Sequence, residues 1–208
     1  MFGSTYLFFI IQQPKDKMLN DYLYKEDSPV ELIGGLIPKH KTTLLHGRSG
    51  CGKTLGIIKF LNEQKEDIYF IDFDDNSIYS NLVALHIDGH KLIEGIKENG
   101  YKAVKELKNK TIIMDTYALL QLALSGEDTI EFIQNIESLF NPTLIIIAHT
   151  TMFAGKANVP DVDNIFANHV ACRLQLFKNV LAKRVDIYLE VEKLRGYKGL
   201  SKIDNWMR

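Results

Sequence analysis

Eight consecutive residues, Gly47-Arg48-Ser49-Gly50-Cys51-Gly52-Lys53-Thr54, follow the pattern G-x-x-x-x-G-K-[ST]. The glycines let the backbone curl so that successive N–H groups point inward at the oxygens of a phosphate chain. A helix beginning near Lys53 adds the positive end of its dipole to the same spot. Lys53 then reaches the β- and γ-phosphates, and the Thr54 hydroxyl becomes a ligand for Mg²⁺. A chance match in a chain of this length is on the order of 1%, which favours a nucleoside triphosphate such as ATP over a plain Gly-rich turn. Arg48 reads as a surface residue, and nothing around Cys51 suggests nucleophilic or redox chemistry.

A phosphate loop of this kind needs a second acid for the water shell of Mg²⁺, normally at the end of a buried strand. The run Thr111-Ile112-Ile113-Met114 supplies one in Asp115, at the carboxyl edge where open α/β sheets bind their ligands. A helix N-cap is the alternative role for that residue. A second run, Ile68-Tyr69-Phe70-Ile71, ends in Asp72, Asp74 and Asp75. Strand alternation places Asp72 and Asp74 on one face and Phe73 on the other. A carboxylate here, Asp74 by preference, orients and deprotonates the water attacking the γ-phosphate, provided it comes within about 3 Å of it. The alternative is a solvated turn that caps the next helix. After residues 144–148 comes His149, whose imidazole can donate a hydrogen bond to the γ-phosphate; a His satisfied by neighbouring backbone is the other reading. Finally, Lys193 and Arg195 lie two apart in an extended segment and so point the same way. Such a pair can clamp a phosphate, and an arginine acting in trans is worth orders of magnitude in rate. A solvated basic turn is the alternative.

The elements that must hold these residues are legible from hydrophobic pattern. Residues 42–46, 68–73, 111–114 and 143–148 are short apolar runs without clean alternation, which predicts strands buried on both faces. Between them, residues 53–64, 92–107 and 129–139 predict helices. Strands alternating with helices imply α/β architecture, a mainly parallel sheet covered by helices. Near the end, Val170, Cys172, Leu174 and Leu176 alternate with polar or small residues, as do Val185, Ile187, Leu189 and Val191. With residues 178–184 between them, these runs predict a C-terminal antiparallel β-hairpin. Residues 150–168 read as a long polar loop, which in a compact domain is usually functional. The first 30 residues are mixed in character and are set apart as an N-terminal extension; residues 31–208 read as one domain.

Composition excludes several classes. Of 208 residues, 46% are hydrophobic, and 25 Lys+Arg face 26 Asp+Glu for a net charge of −1. That rules out a disordered chain and argues against a protein that coats nucleic acid through bulk positive charge, while leaving room for a local basic patch. Two cysteines, Cys51 and Cys172, are too few for a disulfide scaffold and fit a reducing compartment. The apolar run at residues 6–11 is too short for a membrane span. The expectation is a cytoplasmic protein without membrane association.

Taken in order, the phosphate loop, Phe70-Ile71-Asp72-Phe73-Asp74-Asp75, Met114-Asp115, Ala148-His149-Thr150-Thr151 and Lys193-x-Arg195 resemble the RecA-like P-loop ATPase core. Within it they resemble the hexameric replicative DNA helicases, particularly the plasmid RepA type. The lead-in at residues 32–41 is similar as well, and the resemblance covers residues 31–208. It implies a catalytic carboxylate at Asp74, a Mg²⁺-associated acid at Asp115 and a γ-phosphate sensor at His149. It also implies that Lys193 and Arg195 act on the nucleotide of a neighbouring copy in a homo-oligomer, a hexameric ring, working on single-stranded DNA. DNA-contacting loops would fall near residues 118–127 and 150–168. The family commonly has Glu where Asp74 stands, and Lys156 is the only Lys or Arg in the second loop. A recombinase-like or regulatory DNA-associated ATPase without unwinding activity is the alternative output of the same core.

Overall fold

The four apolar runs are adjacent or near-adjacent strands whose carboxyl ends share one edge. The computed structural model describes residues 31–74, 77–125, 128–153, 156–181, 184–194 and 202–204. The N-terminal extension and Arg195 lie outside the described residues. In chain order, β1 (Leu32–Ile33) and β2 (Ile37–Pro38) make a small antiparallel ladder of their own. Next come β3 (Thr42–Gly47), α1 (Lys53–Glu63), β4 (Ile68–Asp72), a 3₁₀ turn (Ser77–Leu82) and β5 (Leu85–Asp88). They are followed by α2 (Gly89–Asn99), a 3₁₀ segment (Gly100–Leu107), β6 (Thr111–Asp115), α3 (Tyr117–Leu124) and α4 (Thr129–Phe140). The chain continues with β7 (Thr143–Phe153), β8 (Lys156–Pro160), α5 (Asn164–His169), β9 (Cys172–Leu181), β10 (Arg184–Leu194) and β11 (Lys202–Asp204).

The main sheet runs β11-β10-β9-β3-β7-β6-β4-β5, with β8 paired to β7. From β9 through β3, β7, β6 and β4 to β5 every pair is parallel; β10, β11 and β8 join antiparallel. Because helices cover both faces, the central strands have no wet side. Ile112 and Met114 pack into one core with Tyr117, Leu120 and Ile133, while Ile113 packs into the other with Ile57, Ile58 and Leu61. Likewise Leu144 and Ile146 face the first core and Ile145 and Ile147 the second, all fully buried. Full burial of such a side chain stabilises the fold by about 1.5–3 kcal/mol. It also explains why these runs are unbroken in apolar character.

The predicted hairpin is β9–β10, with Leu189 opposite Leu176 and Val191 opposite Leu174, all buried against α1's side of the sheet. Its strands extend further than the alternation implied, β9 to Leu181 and β10 from Arg184, so both reach into the expected 178–184 connection. Three expectations need correction. The single helix at 92–107 is α2 followed by a 3₁₀ segment, because Gly100 takes φ 67° and ends the α-helical ladder. Residues 150–168 are not a long loop: β7 runs on to Phe153, turns back as β8, and is followed by α5, capped by Asp163 accepting from the Phe166 N–H at 2.7 Å. Most of the segment 118–127, expected as a loop, is α3, whose Tyr117, Leu120 and Leu124 are buried.

Candidate functional site

Parallel register alone assembles the chemistry. Gly47 at the end of β3 lies beside His149 of β7, and Asp72 of β4 lies beside Asp115 of β6. All four therefore sit on one edge of the parallel sheet: Gly47, Asp72 and Asp115 end their strands there, and His149 lies where β7 passes the end of β3. The phosphate loop leaves β3 there and feeds α1, whose N-cap is Gly52 at φ 89°; Gly50 lies at φ 70°. Gly47 is a glycine for a different reason. A Cβ on it would sit 2.5 Å from the Leu176 carbonyl oxygen of β9 and 3.0 Å from Cys51 Sγ.

Lys53 is 6% exposed. Its Nζ donates to the carbonyls of Gly47 (3.0 Å) and Arg48 (3.1 Å) and lies 3.5 Å from His149 Nδ1. Among the described residues it forms no salt bridge. Burial lowers its pKa from the ordinary lysine value, partly offset by Cys51 and Asp115. A desolvated ammonium held by two carbonyl dipoles and an imidazole nitrogen, with no carboxylate paired to it among the described residues, is a ready anion site. His149 is likewise shifted down, first by burial and then by the Lys53 charge. An ammonium only donates, so Nδ1 accepts and the imidazole proton is assigned to Nε2.

On the other side of the loop, the Thr54 hydroxyl donates to Asp115 Oδ2 at 2.5 Å. Burial raises the Asp115 pKa, against the lowering effects of Thr54 and Lys53. A hydroxyl and a carboxylate side by side are hard oxygen donors of the kind Mg²⁺ takes beside phosphate, so these two residues fit that ion. Asp74 is exposed at the mouth of the site, and its charge is felt at both Asp115 and His149. Its amide donates to Asp72 Oδ1 at 2.9 Å, while His86 Nε2 donates to Asp72 Oδ2 at 3.1 Å. Asp72 and Asp74 thus divide the work: the buried acid anchors the turn and the exposed one projects from it.

Arg48, Ser49 and Gly50 are exposed, while Cys51 is buried and its thiol is pushed up by burial, which leaves it inert. Between residues 48–51 and β9 residues 175–178 lies a cavity of about 350 Å³, on the flank of the loop away from Asp115. Lys193 is the next-to-last residue of β10; Arg195 lies outside the described residues. Sequence reasoning passed over two residues at the site. One is His86, on an edge strand with no apolar run. The other is Tyr79, whose phenol neighbours Thr54 and whose pKa is raised by burial and then by Asp115. Tyr79 packs edge-on against Phe70 at 5.7 Å. Neither carries a spacing signal, because both arrive through the fold.

No protein-family model matches the chain, and no curated protein matches its sequence. In three dimensions it is similar to a KaiC-like protein of the hyperthermophilic archaeon Pyrococcus horikoshii OT3. That likeness has TM-score 0.57 and 18% identity, over 83% of this chain and 88% of that one. It is also similar to the flagellar accessory protein FlaH of Methanocaldococcus jannaschii, with TM-score 0.55 and 13% identity over 83% and 87% of the two chains. The fold is therefore the RecA-like P-loop core: a mainly parallel α/β sheet with a C-terminal antiparallel hairpin. Among the described residues no helix is long and apolar enough to cross a membrane.

Proposed function

We propose that this chain hydrolyses ATP at an interface between copies of itself, as an oligomeric motor on single-stranded DNA. The observation that carries the ATPase reading is the convergence of Lys53, Thr54, Asp115 and His149 on one sheet edge around a phosphate-loop backbone. Lys53 exchanges its two carbonyl partners for β- and γ-phosphate oxygens, which removes the cost of a buried, unpaired cation. Main-chain amides of residues 48–54 cradle the phosphates. The cavity between residues 48–51 and β9, about 350 Å³, has room for the nucleoside end. Thr54 and Asp115 hold Mg²⁺, which when bound neutralises phosphate charge. Asp74, tethered through Asp72, orients the water that attacks the γ-phosphate and takes its proton. The products are ADP and phosphate, and neutral His149 donates from Nε2 to the γ-phosphate and registers its departure. Lys193 and Arg195 of a neighbouring copy complete the charge stabilisation.

A second output of the same core, a regulatory ATPase without unwinding, is favoured by charge. The two segments expected to touch DNA are α3, which has no Lys or Arg, and the β7–β8–α5 stretch, whose one basic Lys or Arg is Lys156. A strong grip on DNA phosphates by one copy does not follow from that composition. ATP hydrolysis per subunit, measured against protein concentration with and without single-stranded DNA, separates the readings. A rate that rises with concentration and with DNA supports the motor. A rise with concentration alone, without strand displacement, supports the regulatory reading. Full turnover by an isolated monomer overturns the shared site.

A further inference from the structure

A buried histidine beside the phosphate site takes no part in it. His46, just before Gly47 on β3, is fully buried. Its Nδ1 lies 3.1 Å from Thr150 Oγ1, the residue after His149 on β7, and its Nε2 lies 2.8 Å from Glu192 Oε2 on β10. A carboxylate only accepts, so Nε2 is assigned the proton, and in the neutral tautomer Nδ1 then accepts from the Thr150 hydroxyl. The same Glu192 oxygen has Arg173 Nε of β9 at 2.7 Å, an ion contact whose N–H is not aligned as a hydrogen bond.

Two features make this cluster more than a satisfied core histidine. First, Val191 pairs with Leu174 and Lys193 with Arg173, so Glu192 is the extra residue of a β-bulge. Bulges re-aim side chains, and this one is placed where the carboxylate meets His46. Second, the four residues come from β7, β3, β9 and β10, so the cluster crosses the sheet from His149's neighbour to the residue before Lys193. β7 and β10 have no direct pairing; β3 and β9 stand between them.

We propose that His46 is a positioning residue that couples the phosphate-facing edge of β7 to the carboxyl end of β10. Thr150 is its partner on one ring nitrogen and Glu192 on the other. This rests on His149 facing the γ-phosphate. Loss of that phosphate shifts the His149-Thr150 edge, Thr150 pulls on the imidazole, and Glu192 carries the displacement into β10.

Hydrogen exchange of the full chain, loaded with Mg²⁺ and either adenylyl imidodiphosphate or ADP, tests this. In the wild type, amides of β10 are expected to exchange about fivefold more slowly with the triphosphate analogue, the effect of one hydrogen bond. Thr150→Val keeps side-chain volume and removes the hydroxyl. It is expected to abolish that β10 difference while leaving the β7 difference and both nucleotide affinities within about twofold. Thr150→Ser is expected to restore it, and Glu192→Gln, a second route into the cluster, to weaken it. Persistence of the β10 difference in Thr150→Val overturns the coupling, as does failure of Thr150→Ser to restore it. Absence of any β7 difference in the wild type instead removes the γ-phosphate reading of His149, and the coupling with it.

Discussion

Gly47→Ala and Gly50→Ala alter the same loop by different physics, and the contrast can be worked from the structure. At Gly47 the new methyl would stand 2.5 Å from the Leu176 carbonyl oxygen, a backbone atom, and 3.0 Å from Cys51 Sγ. Ordinary C···O contacts begin near about 3.3 Å, so β3 and β9 must separate by roughly 0.8 Å at their last paired residues, Gly47 and Leu176. Overpacking of this kind costs about 1–3 kcal/mol. For a domain of this size each kcal/mol is roughly 2–4 °C in Tm. At Gly50 an added methyl would have nothing within 4 Å, but the residue sits at φ 70°, so alanine there meets only backbone strain, about 1 kcal/mol. The expected result is a Tm lowered by roughly 2–12 °C for Gly47→Ala, with ATP affinity reduced about tenfold or more because the first loop amides move with β3. Gly50→Ala should lose only roughly 2–4 °C. Differential scanning calorimetry paired with nucleotide titration reads both. Equal Tm values for Gly47→Ala and wild type, with unchanged affinity, would refute the claim that β9's backbone dictates this glycine.

Lys53→Met removes a buried cation whose pKa is depressed. The folded value lies below 10.5, so the penalty is constant at neutral pH and eases only as pH rises toward 10.5. The variant should be at least as stable as wild type by thermal melting yet bind Mg²⁺-ATP about 100-fold more weakly. Asp115→Asn tests the opposite sign. The folded carboxyl is raised above 3.8, so its stability contribution is present below that pH and is lost as pH rises through the folded value. Without nucleotide, Asp115→Asn should therefore gain in Tm over wild type between pH 4 and 7, by roughly 2–4 °C; a gain that shrinks with pH would contradict this. Tyr117→Phe deletes the donor to Asp163, which also caps α5. Denaturant unfolding should show a loss of about 1–2 kcal/mol with the core stacking on Phe166 retained.

How much was visible in the sequence depended on whether a signal was local. The phosphate loop is eight contiguous residues, and the four central strands announce themselves because Ile113, Ile145 and their neighbours are buried on both faces. Leu85–Asp88 is half exposed at the sheet edge and has too few apolar residues to register. Tyr117-Ala118-Leu119-Leu120-Gln121-Leu122-Ala123-Leu124 is apolar nearly all round, so no 3.6-residue stripe marks it as a helix. The β7–β8 pairing hides because the residues of these strand segments alternate weakly. At the site, Asp115 stood at the end of a recognisable strand. The partners of buried Asp72 and His46 did not, since His86 reaches one through strand pairing and Glu192 reaches the other through a bulge. Register and bulges are properties of pairing between strands far apart in sequence.

Titration calorimetry of the chain with ATP in Mg²⁺, repeated with Lys53→Met and Asp115→Asn, decides whether this sheet edge is a triphosphate site. One triphosphate site per chain is expected, dependent on Mg²⁺ and severely weakened by either substitution. Binding that survives both changes, or is indifferent to Mg²⁺, would contradict it.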